Sequence, residues 1–184
     1  MKSNLTDQTI LKLLKSEGSM NEAFRLLVKS YSERLYWHIR KMVISHDDTN
    51  DILQNTFIKA YQAIDRFRGD SAIYTWLYRI AVNETLNFIE QQKRRSASLE
   101  EYNEKKIALL ESESEFSGDA LQKKFHKAIQ LLPEKQRLVF NMKYFDQMKF
   151  SEISEVLQTS VGALKASYHH AVKKIEDYLL NHDD

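Results

Sequence analysis

The chain has 184 residues, 42% hydrophobic and 29% charged, which is enough apolar material for one medium core or two small ones. Four glycines and one proline leave little turn chemistry for a sheet protein, and the absence of cysteine excludes disulfides and thiolate metal sites. No stretch approaches the roughly twenty apolar residues of a membrane span, and the start MKSNLTDQTILKLLKSEGS lacks a signal peptide's apolar core, so a soluble, cytoplasmic protein with no membrane insertion is expected.

In residues 22–43, Phe24, Leu27, Val28, Tyr31, Leu35, Ile39 and Met42 recur at three- and four-residue steps, the stripe of an amphipathic helix. Asp47 and Asp48 can cap a second helix carrying Ile52, Leu53, Phe57, Ala60, Tyr61 and Ile64 inward. The run Phe67-Arg68-Gly69-Asp70-Ser71 breaks the pattern, with Asp70 or Ser71 available as the next cap. A third helix is predicted from about Ala72 to Arg94, with Ile73, Leu77, Ile80, Ala81 and Phe88 on its core face. Its other face is unusual. Trp76, Arg79, Asn83 and Asn87 follow one another at steps of three, four and four, Tyr74 and Tyr78 flank them, and Lys93-Arg94-Arg95 close the helix. Aromatic rings accept stacked bases, asparagine reads base edges and arginine neutralises phosphate. The glycine loop before the helix can receive a base taken out of the stack. Residue by residue these side chains also suit a core tryptophan and a solvated helix end; their concurrence on one face beside the loop favours nucleic acid.

Residues 96–119 carry 2 Lys/Arg against 7 Asp/Glu and few core residues, which reads as a flexible acidic linker with some helix around Ile107 to Leu110. The flanking blocks are basic, 12 Lys/Arg against 9 Asp/Glu over residues 20–95 and 10 against 6 over residues 120–180. Such excesses suit polyanion-binding units and ordinary solvated surfaces alike.

Beyond the linker, Pro133 suits the first turn of a helix over Glu134 to Tyr144. Ser151 can cap a short helix with Ile153, Val156 and Leu157 inside, and the turn Gln158-Thr159-Ser160 leads to a last helix with Val161, Leu164, Tyr168, Ala171, Ile175 and Leu179 inward. Short helix, tight turn and longer helix make a helix-turn-helix. The last helix then turns out Ala163, Lys165, Ala166, Ser167, His169, His170, Lys173 and Lys174: small residues for close approach to a major groove, and Lys and His for base edges and phosphates. A solvated face with a basic end suited to the helix dipole fits the same pattern. The six histidines show no ligand spacing with carboxylates, and no phosphate loop or nucleophile motif is present. No cofactor, metal, small-molecule substrate or enzymatic activity is expected.

The segment FIKAYQAIDRFRGDSAIYTWLYRIAVNETLNFIEQQKRR resembles the second conserved region of bacterial RNA polymerase sigma factors of the extracytoplasmic-function (ECF) group. LPEKQRLVFNMKYFDQMKFSEISEVLQTSVGALKASYHHAVKKIEDYL resembles their fourth. The resemblance implies an all-α chain of two small helical domains, a region-2-like bundle over residues 1–95 and a region-4-like helix-turn-helix over 120–184. Residues 96–119 would join them. It implies a factor that binds core polymerase through the beta-prime clamp and beta flap, reads promoter DNA in duplex and single-stranded form, and starts transcription, with an anti-sigma factor as a further partner. By position it points to Asp51, Leu53, Gln54, Asn55, Phe57 and Ile58 for polymerase binding. Arg68, Gly69, Asp70, Ser71, Tyr74, Trp76, Arg79 and Asn83 fall to the minus-ten element, and Lys165, Ala166, His169 and Lys173 to the minus-thirty-five element. Two rivals compete: a helix-turn-helix regulator of duplex DNA that works without polymerase, and a structural helical adaptor. The first needs a dimer interface or effector domain; the second leaves the Trp76, Arg79 and Asn83 face without a use.

Overall fold

A computed structural model describes residues 2–14, 16, 18–64, 67, 71–113, 116 and 118–181, with side chains from residue 7 onward. The described residues form helices α1 (Lys2–Leu14), α2 (Met20–Val43), α3 (His46–Ala63), α4 (Ile73–Arg95), α5 (Leu99–Ser112), α6 (Ala120–Gln130), α7 (Glu134–Tyr144), α8 (Phe150–Leu157) and α9 (Val161–Asn181). No helix among them is long and apolar enough to cross a membrane.

The N-terminal unit packs α2, α3 and α4 around Leu27, Leu35, Ile39, Met42, Ile52, Ala60, Leu77 and Ala81. The periodicity of α2 and α4 dictated these contacts, because each apolar stripe must find another stripe to leave water. Helix α1 is an addition: it lays Ile10 against α2, completely buried. The second helix starts differently from expectation. Ser45 is its cap and its hydroxyl accepts the Asp48 amide at 3.2 Å, so Asp47 and Asp48 occupy the first turn, where negative charge suits the helix dipole. On α4 the cap is Ala72, with no side-chain hydrogen bond; Ser71 does not serve, and Asp70 lies outside the described residues.

Within the acidic segment α5 is capped by Ser98, which accepts the Glu101 amide at 3.1 Å, and it buries Lys106 and Leu110. In the C-terminal unit α6, α7 and α9 enclose Ala128, Ile129, Leu132, Phe140, Ala171 and Ile175, while α8 turns Ile153 and Val156 into the larger cluster. Pro133 stands immediately before α7, as anticipated. Helix α8 begins at Phe150: the Lys149 amide donates to the Glu152 carboxylate at 2.6 Å, so the closing partner comes from the third helical residue and Ser151 is left exposed inside the first turn. Gln158 adopts a left-handed φ of 52°, which turns the chain sharply into α9.

The two units are in contact. Leu138, Val139, Met142, Met148, Ile153 and Val156 of the C-terminal unit belong to the same apolar cluster as Tyr74, Leu77 and Tyr78 of α4.

Candidate nucleic-acid and polymerase interfaces

Three surfaces carry the predicted residues. The first is the outer face of α3. Asp51, Gln54, Asn55 and Ile58 are exposed, whereas Leu53 and Phe57 are half-buried and hold the helix down. Ile58 is 47% exposed, a large aliphatic side chain left in water beside two amides. Tyr61, expected on the inward stripe, is equally exposed at 47% and extends the patch by one turn. Its ring edge meets Phe24 at 5.0 Å and its hydroxyl donates to Asn21 Oδ1 at 3.4 Å. Sequence reading missed Tyr61 as a surface residue; the signal was its place three residues after Ile58, on the exposed row.

The second surface is α4. Asn83 and Asn87 are exposed, and Trp76 and Arg79 are half-buried. The Trp76 ring lies 5.0 Å from the Phe67 ring, the next aromatic toward the loop, and Ser71 is half-buried nearby in sequence. Tyr74 departs from the expected aromatic flank. It is 8% exposed, its hydroxyl accepts Arg34 Nη2 at 3.3 Å, and the Arg34 guanidinium sits 4.4 Å above its ring. Burial pushes the Tyr74 phenol above its ordinary range. Tyr78 is fully buried, its ring 4.8 Å from His38. Arg79 is also engaged: Nη2 donates to the Glu155 carbonyl of α8 at 2.6 Å. The positions Arg68, Gly69 and Asp70 lie outside the described residues.

The third surface is α9. Leu164, Ala171 and Ile175 face the core, with Tyr168 stacked on Phe140 at 5.8 Å, so the opposite side must face out. Ala163, Lys165, Ala166, His169, His170, Lys173 and Lys174 are exposed there, and Ser167 is half-buried. Val161, expected inward, is 36% exposed. Ser160 fastens the helix start by accepting the Ala163 amide at 3.3 Å. The face therefore offers small side chains between cations on a rigid rod, a shape that seats in a major groove. Among the described residues, no group of three or more His, Asp or Glu side chains gathers to hold a metal.

Residues 27–95 match the family described as Sigma-70 region 2, and residues 122–175 match Sigma-70, region 4. The ECF RNA polymerase sigma-E factors of Escherichia coli and Salmonella typhimurium are 34% identical over 192 residues, covering 96% of both chains. The RNA polymerase sigma-H factor of Pseudomonas aeruginosa is 35% identical over 166 residues, covering 85% of this chain and 86% of its own. Among solved structures, CnrH in complex with the cytosolic domain of CnrY superposes with a TM-score of 0.72 at 22% identity, over 97% of this chain and 99% of that one. The sigma factor RpoE from Bartonella quintana, in complex with the anti-sigma factor NepR, gives 0.66 at 18% identity, over 87% and 98%. Both share the fold.

Proposed function

The chain belongs to the sigma-70 family, in its ECF group, and on that premise we propose that it binds core RNA polymerase, places it at promoters and stabilises melted DNA, without catalysing a reaction. The observation that carries the reading is the pairing, on one chain, of an α4 face bearing Trp76, Arg79 and Asn83 with a helix-turn-helix whose last helix exposes Lys165, His169 and Lys173.

We assign residues 1–95 to polymerase binding and the minus-ten element, 96–119 to the connection, and 120–184 to the minus-thirty-five element. The α3 face, from Asp51 to Ile58, docks on the polymerase. Exposed Ile58 supplies apolar area, and Gln54 and Asn55 supply directional hydrogen bonds. The loop Arg68 to Ser71, with Trp76, Arg79 and Asn83, captures unpaired bases, whereas Tyr74, buried under Arg34, supports α4 from beneath. A base leaving its stack costs a few kcal/mol, and stacking on an aromatic ring recovers about 1–3 kcal/mol. Lys165, Ala166, His169 and Lys173 meet duplex DNA upstream. Because the work is positioning and base capture, binding energy suffices and no covalent step is needed.

The structural relatives CnrH and RpoE are each bound to a second protein, in the RpoE case a named anti-sigma factor, and this chain is proposed to have such a partner. It would act where polymerase acts, in the cell interior. Reconstitution tests the whole reading: purified chain added to core polymerase is expected to co-elute with it and to support transcription from a promoter that core alone ignores. Failure to bind core in a folded preparation would overturn it.

A further inference from the structure

Lys93 at the end of α4, Lys106 of α5 and Arg137 of α7 converge on one cavity of about 340 Å³. Among the described residues that line it, Glu134 supplies the one carboxylate, and that carboxylate is paired with Lys93. The other two basic side chains turn to Gln130. Its backbone carbonyl accepts Lys106 Nζ at 2.5 Å and Arg137 Nη1 at 3.2 Å, and Nη1 also donates to its side-chain oxygen at 3.2 Å. Gln130 is itself fixed, because its Nε2 donates to the Lys41 carbonyl at 3.0 Å. Donors therefore outnumber acceptors. Arg137 is 2% exposed and its Nε finds no partner, although a guanidinium carries five N–H donors and accepts nothing. The start of α7 adds to the imbalance: Pro133 and Glu134 line the cavity and no side chain caps the helix, so its partial positive charge faces the same space.

A protein interior gains nothing from stranded donors and neighbouring cations. Burial, then Arg137 and Lys93, hold the Lys106 amine far below its ordinary range against the pull of Glu134, so the cavity suppresses one of its own charges. An anionic ligand reverses each of these costs, since it offers acceptors to Arg137 Nε and lets the amine become an ammonium. Charge balance then sets the ligand class. Charged Lys93, Lys106 and Arg137 against Glu134 leave a surplus of two, which a phosphate dianion cancels and a single carboxylate does not. The cavity is larger than a bare phosphate, and Leu131, Leu132 and the Tyr102 ring give it an apolar side with room for a small organic group. Lys106 and Arg137 are both buried, which suits a terminal phosphate on a small molecule better than a nucleic-acid backbone, whose phosphates carry substituents on two oxygens.

We propose that the cavity between α5 and the start of α7 is a binding site for a terminal phosphate group, free or on a small monoester, held by Arg137, Lys106 and Lys93. The site is separate from the α3, α4 and α9 surfaces assigned to polymerase and promoter, and does not depend on those assignments. Binding charges Lys106, so the complex takes up a proton that the free chain does not hold.

Isothermal titration calorimetry on the full chain tests this in phosphate-free buffers at about pH 8, where a phosphate monoester is a dianion. Inorganic phosphate and phenyl phosphate are the probes, with chloride at matched ionic strength as the blank, and two buffers of different ionisation enthalpy report the protons exchanged. Saturable binding at one site is expected, with uptake of about one proton per phosphate. Tighter binding of phenyl phosphate identifies a monoester as the ligand, and equal binding identifies free phosphate. Lys106→Met should abolish the proton uptake and weaken both probes at least about tenfold. Lys93→Gln should weaken them by about as much while leaving the uptake in place, and serves where Lys106→Met fails to fold. Absence of saturable binding by either probe would overturn the site, as would parental affinity and proton uptake in folded Lys106→Met. A single-stranded oligonucleotide that takes up the Lys106 proton where neither probe does would also overturn it, by giving these cations to nucleic acid.

Discussion

Lys106 and Arg137 share one acceptor: Lys106 Nζ donates to the Gln130 carbonyl oxygen at 2.5 Å and Arg137 Nη1 donates to the same oxygen at 3.2 Å. Both side chains are buried where α5 meets the start of α7. Burial, then the neighbouring Arg137 and Lys93, push the Lys106 amine down to about 6 from an ordinary 10.5, against the opposing pull of Glu134. Lys106 is therefore neutral in the folded chain at pH 7, while the unfolded chain holds that proton up to the ordinary value. Between about 6 and 10.5 the unfolded state binds more protons, so stability rises with pH by at most about 1.4 kcal/mol per unit from this group. It falls as pH drops toward 6 and changes no further below.

Lys106→Met keeps much of the stem without the amine. It is expected to raise the melting temperature at pH 7 and to flatten the rise in melting temperature between pH 7 and 9. Thermal unfolding followed by circular dichroism across that range checks it. Parallel slopes for parent and variant would show that Lys106 is not the titrating group.

The α3 face gives a second expectation. Gln54 and Asn55 are exposed and make no contact that the fold needs, so Gln54→Ala with Asn55→Ala should leave stability within about 0.5 kcal/mol of the parent. Affinity for core polymerase should fall several-fold, and adding Ile58→Ser should weaken it further by removing apolar area. Fluorescence anisotropy against core reads the effect directly. Parental affinity in the folded triple variant would move the docking site off α3.

What could be read in the sequence was periodic and local. The stripes of α2, α4 and α9 and the proline before α7 are dictated within a few turns of chain, and the Trp76, Arg79, Asn83 row is visible as a spacing. What could not be read depends on partners far along the chain. Tyr74 and Tyr78 suit a wet face as well as a core, and only Arg34 and the neighbouring His38, brought in by α2, decide for burial. The same holds for His38, whose partner Asp146 is 108 residues away. Helix α8 hid its start because Lys149, a poor capping residue, borrows the Glu152 carboxylate while Ser151 supplies a false signal. The acidic run from 96 to 119 reads as a spacer by composition, and its helix α5 is held by Lys106, a residue whose burial no composition argument predicts.

On α9, Lys165 sits near the start of the exposed face and Lys173 two turns later. A recognition helix enters the groove by its N-terminal part, so Lys165 is placed to read base edges and Lys173 to meet phosphate. Lys165→Ala should change the ranking of upstream elements, at about 1–3 kcal/mol for the preferred base pair. Lys173→Ala should weaken all of them alike and reduce the salt slope by about one. Binding by holoenzyme to a panel of upstream sequences at several salt concentrations separates the two. A uniform loss from both would reduce α9 to a source of charge.

The base-capture assignment rests on Asn83, which is exposed on α4, in line with Arg79 and Trp76, and makes no hydrogen bond that α4 needs. Its side chain can be removed at little structural cost, unlike Trp76, which packs on Phe67, or Tyr74, which is buried under Arg34. A reader of paired DNA loses affinity for the duplex when a contact goes. A trap for unpaired bases loses nothing until the strands part. Holoenzyme carrying Asn83→Ala is therefore expected to bind closed promoter within about twofold of the parent while forming open complex poorly, a deficit of about 1–3 kcal/mol if one base contact is lost. A promoter with a pre-melted bubble should restore most of the transcription, because the unpairing cost no longer has to be met. Permanganate footprinting of the bubble, together with abortive transcription on both templates, measures each step. If Asn83→Ala melts the intact promoter as fully as the parent does, α4 does not hold the displaced base through this residue, and the N-terminal unit is left with polymerase docking alone.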